Sequence, residues 1–219
     1  LQRSATCAAA AAVAWLTPKT TPMAITYPLT LPTHTGFRSL EIQPKTVVGL
    51  AASQFTFEQQ VYQWPGQGWL LNVELPPMSQ ANAALWLAFF LALNGPEGTF
   101  YVGPSIRKVT GGTKAGTVTV DTGAVANSTV LPITGGTGDF AKGDWLQVGT
   151  TTASRLHRVI QVNAGSVDVF PRLRSAYANG TAITYSSPKG VFRLLALPSE
   201  AYDSRKICHG LNFTAVEAI

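Results

Sequence analysis

Residues 53–103 read SQFTFEQQVYQWPGQGWLLNVELPPMSQANAALWLAFFLALNGPEGTFYVG. The order is strand, turn, strand, helix, strand. Phe55, Phe57, Gln59 and Val61 alternate with Thr56, Glu58, Gln60 and Tyr62, and a period of two marks a half-buried strand. Pro65, Gly66 and Gly68, between Trp64 and Trp69, have the chemistry of a turn. Trp69, Leu71, Val73 and Leu75 then share one face of a return strand, which Pro76-Pro77 ends. Ser79 stands at a helix N-cap position. The spacing predicts a helix over residues 80–94, stopped by Asn94-Gly95-Pro96.

That helix is apolar on nearly every side after its first turn: Ala81, Ala84, Leu85, Ala88, Phe89 and Ala92 recur at helical spacing, and Trp86, Leu87, Phe90, Leu91 and Leu93 fill the gaps. A surface helix carries a single apolar stripe, and a bilayer takes about 20 residues to span. One face is therefore expected to pack in its own domain and the other against something else. Complete enclosure by its own domain is the competing expectation. The first of these points to assembly rather than chemistry.

Only 12% of the 219 residues are charged, about half the usual share. Low charge with strand-like runs between glycine-rich turns predicts a mainly β fold. The net charge of +5 is uneven, with nine Lys/Arg against four Asp between Pro104 and Lys189, and two against four Glu between Met23 and Gly103. Cys7 and Cys208 lie at opposite ends of the chain, too sparse for a disulfide scaffold; two unpaired thiols are expected rather than one bridge.

Residues 1–22 differ in composition from the rest. Arg3 and the run Ala5 to Leu16 resemble a weak signal peptide, but Met23-Ala-Ile-Thr26 reads as a natural start, which makes 1–22 an upstream extension. From Tyr27 to Leu50 prolines break the apolar pieces, as in edge strands. Beyond Gly103-Pro104 the texture changes to six short strands, Thr117–Val120, Thr129–Ile133, Asp144–Val148, Leu156–Val162, Ser166–Phe170 and Ala182–Tyr185. Even spacing of this kind predicts a small barrel or sandwich. After Pro188 the first texture returns, in Gly190–Leu197 and Lys206–Ala218. The expected architecture is a β-sandwich core with one α-helix, made of residues 23–104 and 189–219, interrupted by an inserted β module at 105–188.

Chemistry is hard to find. His34, His157 and His209 have no metal-ligand spacing, and no H-E-x-x-H, C-x-x-C or G-x-S-x-G occurs. Cys208 and His209, adjacent on a strand, point to opposite faces and cannot act as a nucleophile–base pair. Residues 135–144 lack the G-K-[ST] of a phosphate loop and read as hairpin turns. No enzyme activity, cofactor or metal is expected. The one charged feature is Arg155, Arg158, Arg172 and Arg174, a possible patch gripping carboxylates or phosphates unless Asp139, Asp144 and Asp168 pair with them. Interleaved aromatics, which a nucleic-acid groove wants, are sparse.

Residues 55–67, 75–78, 86–90, 95–103, 142–149, 171–174 and 188–194, taken together, resemble a distal tail protein, a minor tail-tip protein of long-tailed bacteriophages and gene transfer agents. The resemblance covers residues 23–219. It implies a β-sandwich with one helix that forms a ring, usually of six copies, between the tail tube protein and the tail hub, with an inserted β module facing outward. It also implies a place in the virion, after assembly in the host bacterial cytoplasm. On this expectation Trp86 and Phe90 are the subunit contacts, and the four arginines face a receptor-binding protein or host-surface glycan. A carbohydrate-binding adhesin is the alternative, and a secreted hydrolase a third reading that needs residues 1–22 to be a cleaved signal peptide.

Overall fold

The computed structural model describes residues 25–33, 36–104, 111–199, 201–203, 205 and 207–219. Residues 1–22, expected to be an upstream extension, and Cys7 and His34 lie outside them. The described chain is mainly β with one helix. Its strands are β1 Ser39–Ala52, β2 Gln59–Glu74, β3 Met78–Ser79, then the helix α1 Gln80–Leu93, and β4 Thr99–Val102. Six short strands follow: β5 Ala115–Val120, β6 Val130–Thr137, β7 Trp145–Val148, β8 Arg155–Asn163, β9 Ser166–Phe170 and β10 Ala182–Thr184. The chain ends with β11 Gly190–Leu194, β12 Ala201–Tyr202, β13 Ile207–His209 and β14 Asn212–Glu217.

The six middle strands close into a barrel in the order β10-β5-β6-β9-β8-β7, so the even spacing is that of a barrel. Gly135 and Gly136 are not in a hairpin turn. They lie inside β6 at positive φ, where β5 slips register between Ala115 and Val118. Such a bulge bends a strand and helps a small barrel to close. Asp144, buried beside it, accepts N–H bonds from Gly111 at 2.6 Å and Ala141 at 2.8 Å.

The strands before and after the barrel form one five-stranded sheet, β1-β2-β14-β11-β4, and β12-β13-β3 form a small second sheet. The two crossings between sheet and barrel touch: a side chain at Gly103 would strike the Pro188 carbonyl. Close ends are what an inserted unit needs.

Trp69, Leu71 and Val73 of β2 are buried on one face as their alternation predicts. The turn before them is not there. Residues 59–74 are one continuous strand, and the hairpin tip lies earlier, at residues 53–58, where Ser53 N–H donates to Glu58 O at 2.9 Å. Pro65-Gly66 instead sits opposite a register shift between Thr46 and Val48 of β1. A bulge tolerates the missing proline N–H, and a Cβ on Gly66 would come within 2.9 Å of Val47 Cγ2.

The helix packs Ala83, Trp86, Phe89, Phe90 and Leu93 inward. Trp86 and Phe90 meet Phe213 of β14 at ring-centroid distances of 6.3 and 5.2 Å, and Phe89 meets Phe100 of β4 at 5.7 Å. Ser79 stands at the N-cap but its hydroxyl makes no capping bond. Asn94 adopts the left-handed conformation, φ 49°, that ends the helix as its sequence predicts.

Trp86 and Phe90 are 1% and 2% exposed. They are therefore the helix's inner face and not subunit contacts. The contiguous aromatic cluster between helix and sheet takes the largest side chains, because they remove the most apolar area from water. The expected consequence is a sharp contrast between neighbours. Phe90→Ala should cost about 3–5 kcal/mol through cavity formation, whereas Leu91→Ala should stay within about 0.5 kcal/mol, both read from urea unfolding midpoints.

Candidate assembly interface and module junction

Only part of β2 has strands on both sides. From Leu70 to Glu74 it lies between β1 and β14, but β14 pairs no further than Leu70. Beyond Gly68, β1 and β2 pair only with each other, and the ribbon Val47–Gln67 leaves the sheet as an arm. Most of its side chains are exposed, large apolar ones among polar ones such as Gln54, Thr56, Gln59, Gln60 and Gln63. Val48, Leu50 and Val61 lie on one face, and Tyr62 and Trp64 on the other beside the Gly49 backbone. At the tip Phe55 and Phe57 are 96% and 84% exposed. Between Val47 and Gln67 the only charged residue is Glu58.

A second apolar surface is the outer face of α1, where Ala81, Ala84, Leu85, Ala88 and Leu91 are all exposed, Leu91 at 70%. No residue of α1 carries a charge. Among the described residues the helix is thus not enclosed by its own domain: its inner face packs on the sheet and its outer face is exposed. The patch-forming residues of arm and helix are unusual for a monomer surface, where large contiguous apolar patches mark interaction sites.

The four arginines are not one outward patch. Arg158 is exposed and lies over the Trp145 ring, 5.3 Å from its centroid. Three residues away on the same strand, Arg155 points elsewhere, as an odd spacing requires, and donates to Thr152 O and Ser154 O, both at 3.4 Å. Arg172 is held through its own N–H to Gln67 Oε1 at 2.9 Å. Arg174 pairs with Glu217 of β14, Nη2 to Oε2 at 3.4 Å. Arg174 thus spends its guanidinium on the junction between barrel and sheet, whereas Arg172 reaches the sheet only through its backbone and its guanidinium donates to Asn127 O of the barrel at 3.4 Å; neither role is signalled by their sequence spacing.

Trp69 anchors that junction. Its ring lies 4.9 Å from Trp145 and 5.1 Å from Phe170, and its indole N–H donates to Leu156 O at 2.8 Å. Gly68 beside it leaves room for Arg174 and Glu217, whose atoms a Cβ would meet at 3.2 and 3.4 Å. Burial pushes the Glu217 carboxyl up, against the pull of Arg174. Buried His157 has Nδ1 2.9 Å from Pro171 O, an acceptor, so this nitrogen carries the proton and Nε2 the lone pair. Burial lowers its pKa from 6.5 to about 4, with Arg174 and Arg155 adding repulsion. Exposed His209, 3.4 Å from Asp203, faces away from the free, buried Cys208.

On the barrel a groove of about 520 Å³ is lined by Thr150, Thr151, Ser175, Tyr177 and Thr181 with small residues between. Among the described residues no cluster of three His, Cys, Asp or Glu is placed to hold a metal ion, and no helix is long and apolar enough to cross a membrane. No family model matches the sequence, and no curated protein matches it as a relative.

The His157 geometry sets an acid limit on the fold. Its native pKa lies below the unfolded value, so the unfolded chain binds the proton first and stability falls as pH drops from 6.5 toward 4. The size is on the order of 3 kcal/mol. Glu217, with its pKa raised, works the other way: its contribution is largest in acid and is lost as pH rises through its native pKa. His157→Asn, which keeps a donor for Pro171 O, should remove most of the loss between pH 6.5 and 4 in urea titrations. An unchanged pH slope would assign the acid limit to other groups.

Proposed function

We propose that this chain is a non-catalytic structural protein that self-assembles into an adaptor ring at the distal end of a phage tail tube, joining the tube to the hub. The observation that carries the self-assembly is the pairing, on one chain, of two exposed and almost uncharged apolar surfaces, the β1–β2 arm and the outer face of α1. A monomer gains nothing from Phe55, Phe57 and Leu91 in water, whereas a ring buries them. The motif resemblance supplies the place in the virion, with the tube protein and the hub protein as neighbours. The barrel, tied to the sheet through Trp69, then rides on the ring as a rigid attachment.

The hydroxyl-lined barrel groove favours a second reading, an adhesin contact with host-surface glycan, since Thr, Ser and Tyr side chains around a shallow floor match neutral sugar hydroxyls. It is compatible with the ring, because groove and arm lie on different modules.

Light scattering of the full chain, followed by electron microscopy, tests the main reading. The expected result is a closed particle with a central opening, of about six copies if the resemblance holds. A monomer at every concentration, with no rings in micrographs, overturns it. For the second reading, saturation-transfer NMR with glucose, galactose and N-acetylglucosamine should show contact that Ala178→Trp, which fills the groove, removes.

A further inference from the structure

Within the self-assembly reading, on which this inference rests, we propose that the arm of one copy lies along the outer face of α1 of the next copy, head to tail. The occupant of each surface is thus a second copy of this chain.

Cover is the first argument. A two-stranded ribbon is marginal in water until a third strand or a helix packs on it, and the arm beyond Gly68 pairs with no further strand among the described residues. The outer face of α1 is an exposed helix surface with no described residue of the chain packed over it. Each lacks what the other supplies.

Charge is the second. Docking strips water from both surfaces, and a buried unpaired charge costs several kcal/mol. Helix α1 has no charged residue and the arm has one, Glu58 at its tip. The rest of the arm and the whole helix face carry no charge to bury, and the arm's glutamine amides need only hydrogen bonds or a place at the rim of the contact.

Size is the third. Phe55 and Phe57, almost fully exposed, offer about 300–500 Å². Val48, Leu50 and Val61, 49%, 61% and 62% exposed, add roughly 30–70 Å² each at 25 cal/mol per Å². The total, about 400–700 Å², is the larger part of the ~800 Å² per partner of a stable protein interface. Lengths also agree. The five pairs from Val48 to Ala52 span about 13 Å at 3.3 Å per residue, and Ala81 to Leu91 spans about 15 Å at 1.5 Å per residue.

A contact between two different patches is heterologous, and when its rotation closes it makes a ring. Arm against arm would make a two-fold dimer and leave every helix face bare.

Disulfide trapping tests the pairing. In a Cys7→Ser background, with Cys208 buried, chains carrying Leu50→Cys or Val61→Cys are mixed with chains carrying Ala88→Cys or Leu91→Cys and oxidised. The expected result is a crosslinked dimer only in the mixture, and a ladder ending at the ring size when Leu50→Cys and Ala88→Cys share one chain. Crosslinking of Leu50→Cys alone, or rings with no crosslink in any mixture, overturns the arm-to-helix pairing and leaves the ring reading standing. Monomers without rings overturn both. Because each surface is used once per contact, Phe57→Asp and Leu91→Asp should each weaken ring formation about tenfold or more, with melting temperatures of the unassembled chain unchanged. Full assembly by both variants also overturns the pairing.

Discussion

Trp69 is where the two modules become one body. It sits on β2 at the point where that strand leaves the cover of β14, and its ring is enclosed by Trp145 and Phe170 of the barrel. The indole N–H must find a partner there, since a buried unpaired donor costs about 1–3 kcal/mol, and Leu156 O supplies it. On one side of Trp69 the strand belongs to a closed core. On the other it runs out as an arm. The same residue fixes where the barrel attaches and where the arm begins.

The junction also carries an ion pair, but magnitudes decide against it as the main fastening. Removing two charges from water costs about what their attraction returns, so a buried pair contributes little net. The raised Glu217 pKa is the mark of that cost, because desolvation outweighs the nearby Arg174. Burying three aromatic rings is worth about 1.5–3 kcal/mol each. Packing holds the barrel, and Arg174–Glu217 fixes its orientation.

Much of this was legible in the chain. The six barrel strands, the apolar helix and its Asn94 stop follow from local rules of period and turn chemistry. The errors share a cause: each local signal had a long-range competitor. Pro65-Gly66 has the composition of a turn, but a bulge opposite Val47 uses the same residues, and only pairing with β1 tells them apart. Trp86 and Phe90 are indistinguishable in sequence from Leu85 and Leu91 on a helix with no polar residue after its first turn. Which side faces inward is set by Phe213 and Phe100, more than a hundred residues and about ten residues away respectively. Arg172 and Arg174 read as a patch because Gln67 and Glu217, which hold them, are distant in sequence.

With Arg174 drawn into the junction, Arg172 bonded within the barrel and Arg158 over Trp145, these arginines do not add up to one charged face. The self-assembly proposed above would rest on apolar burial. Attraction of that kind is not screened by salt, unlike contacts between exposed charges, and it weakens on cooling. It also lacks the charge repulsion that rejects wrong partners. Specificity must then come from shape. The arm meets that demand with backbone rather than charge: Trp64 lies against Gly49, Gly66 lets Val47 approach, and the bulge between them sets the direction in which the ribbon leaves the sheet. A bulge that re-aims a strand by one extra residue is a fixed geometric device. In this chain it determines which way Phe55 and Phe57 are carried, and so what they can reach.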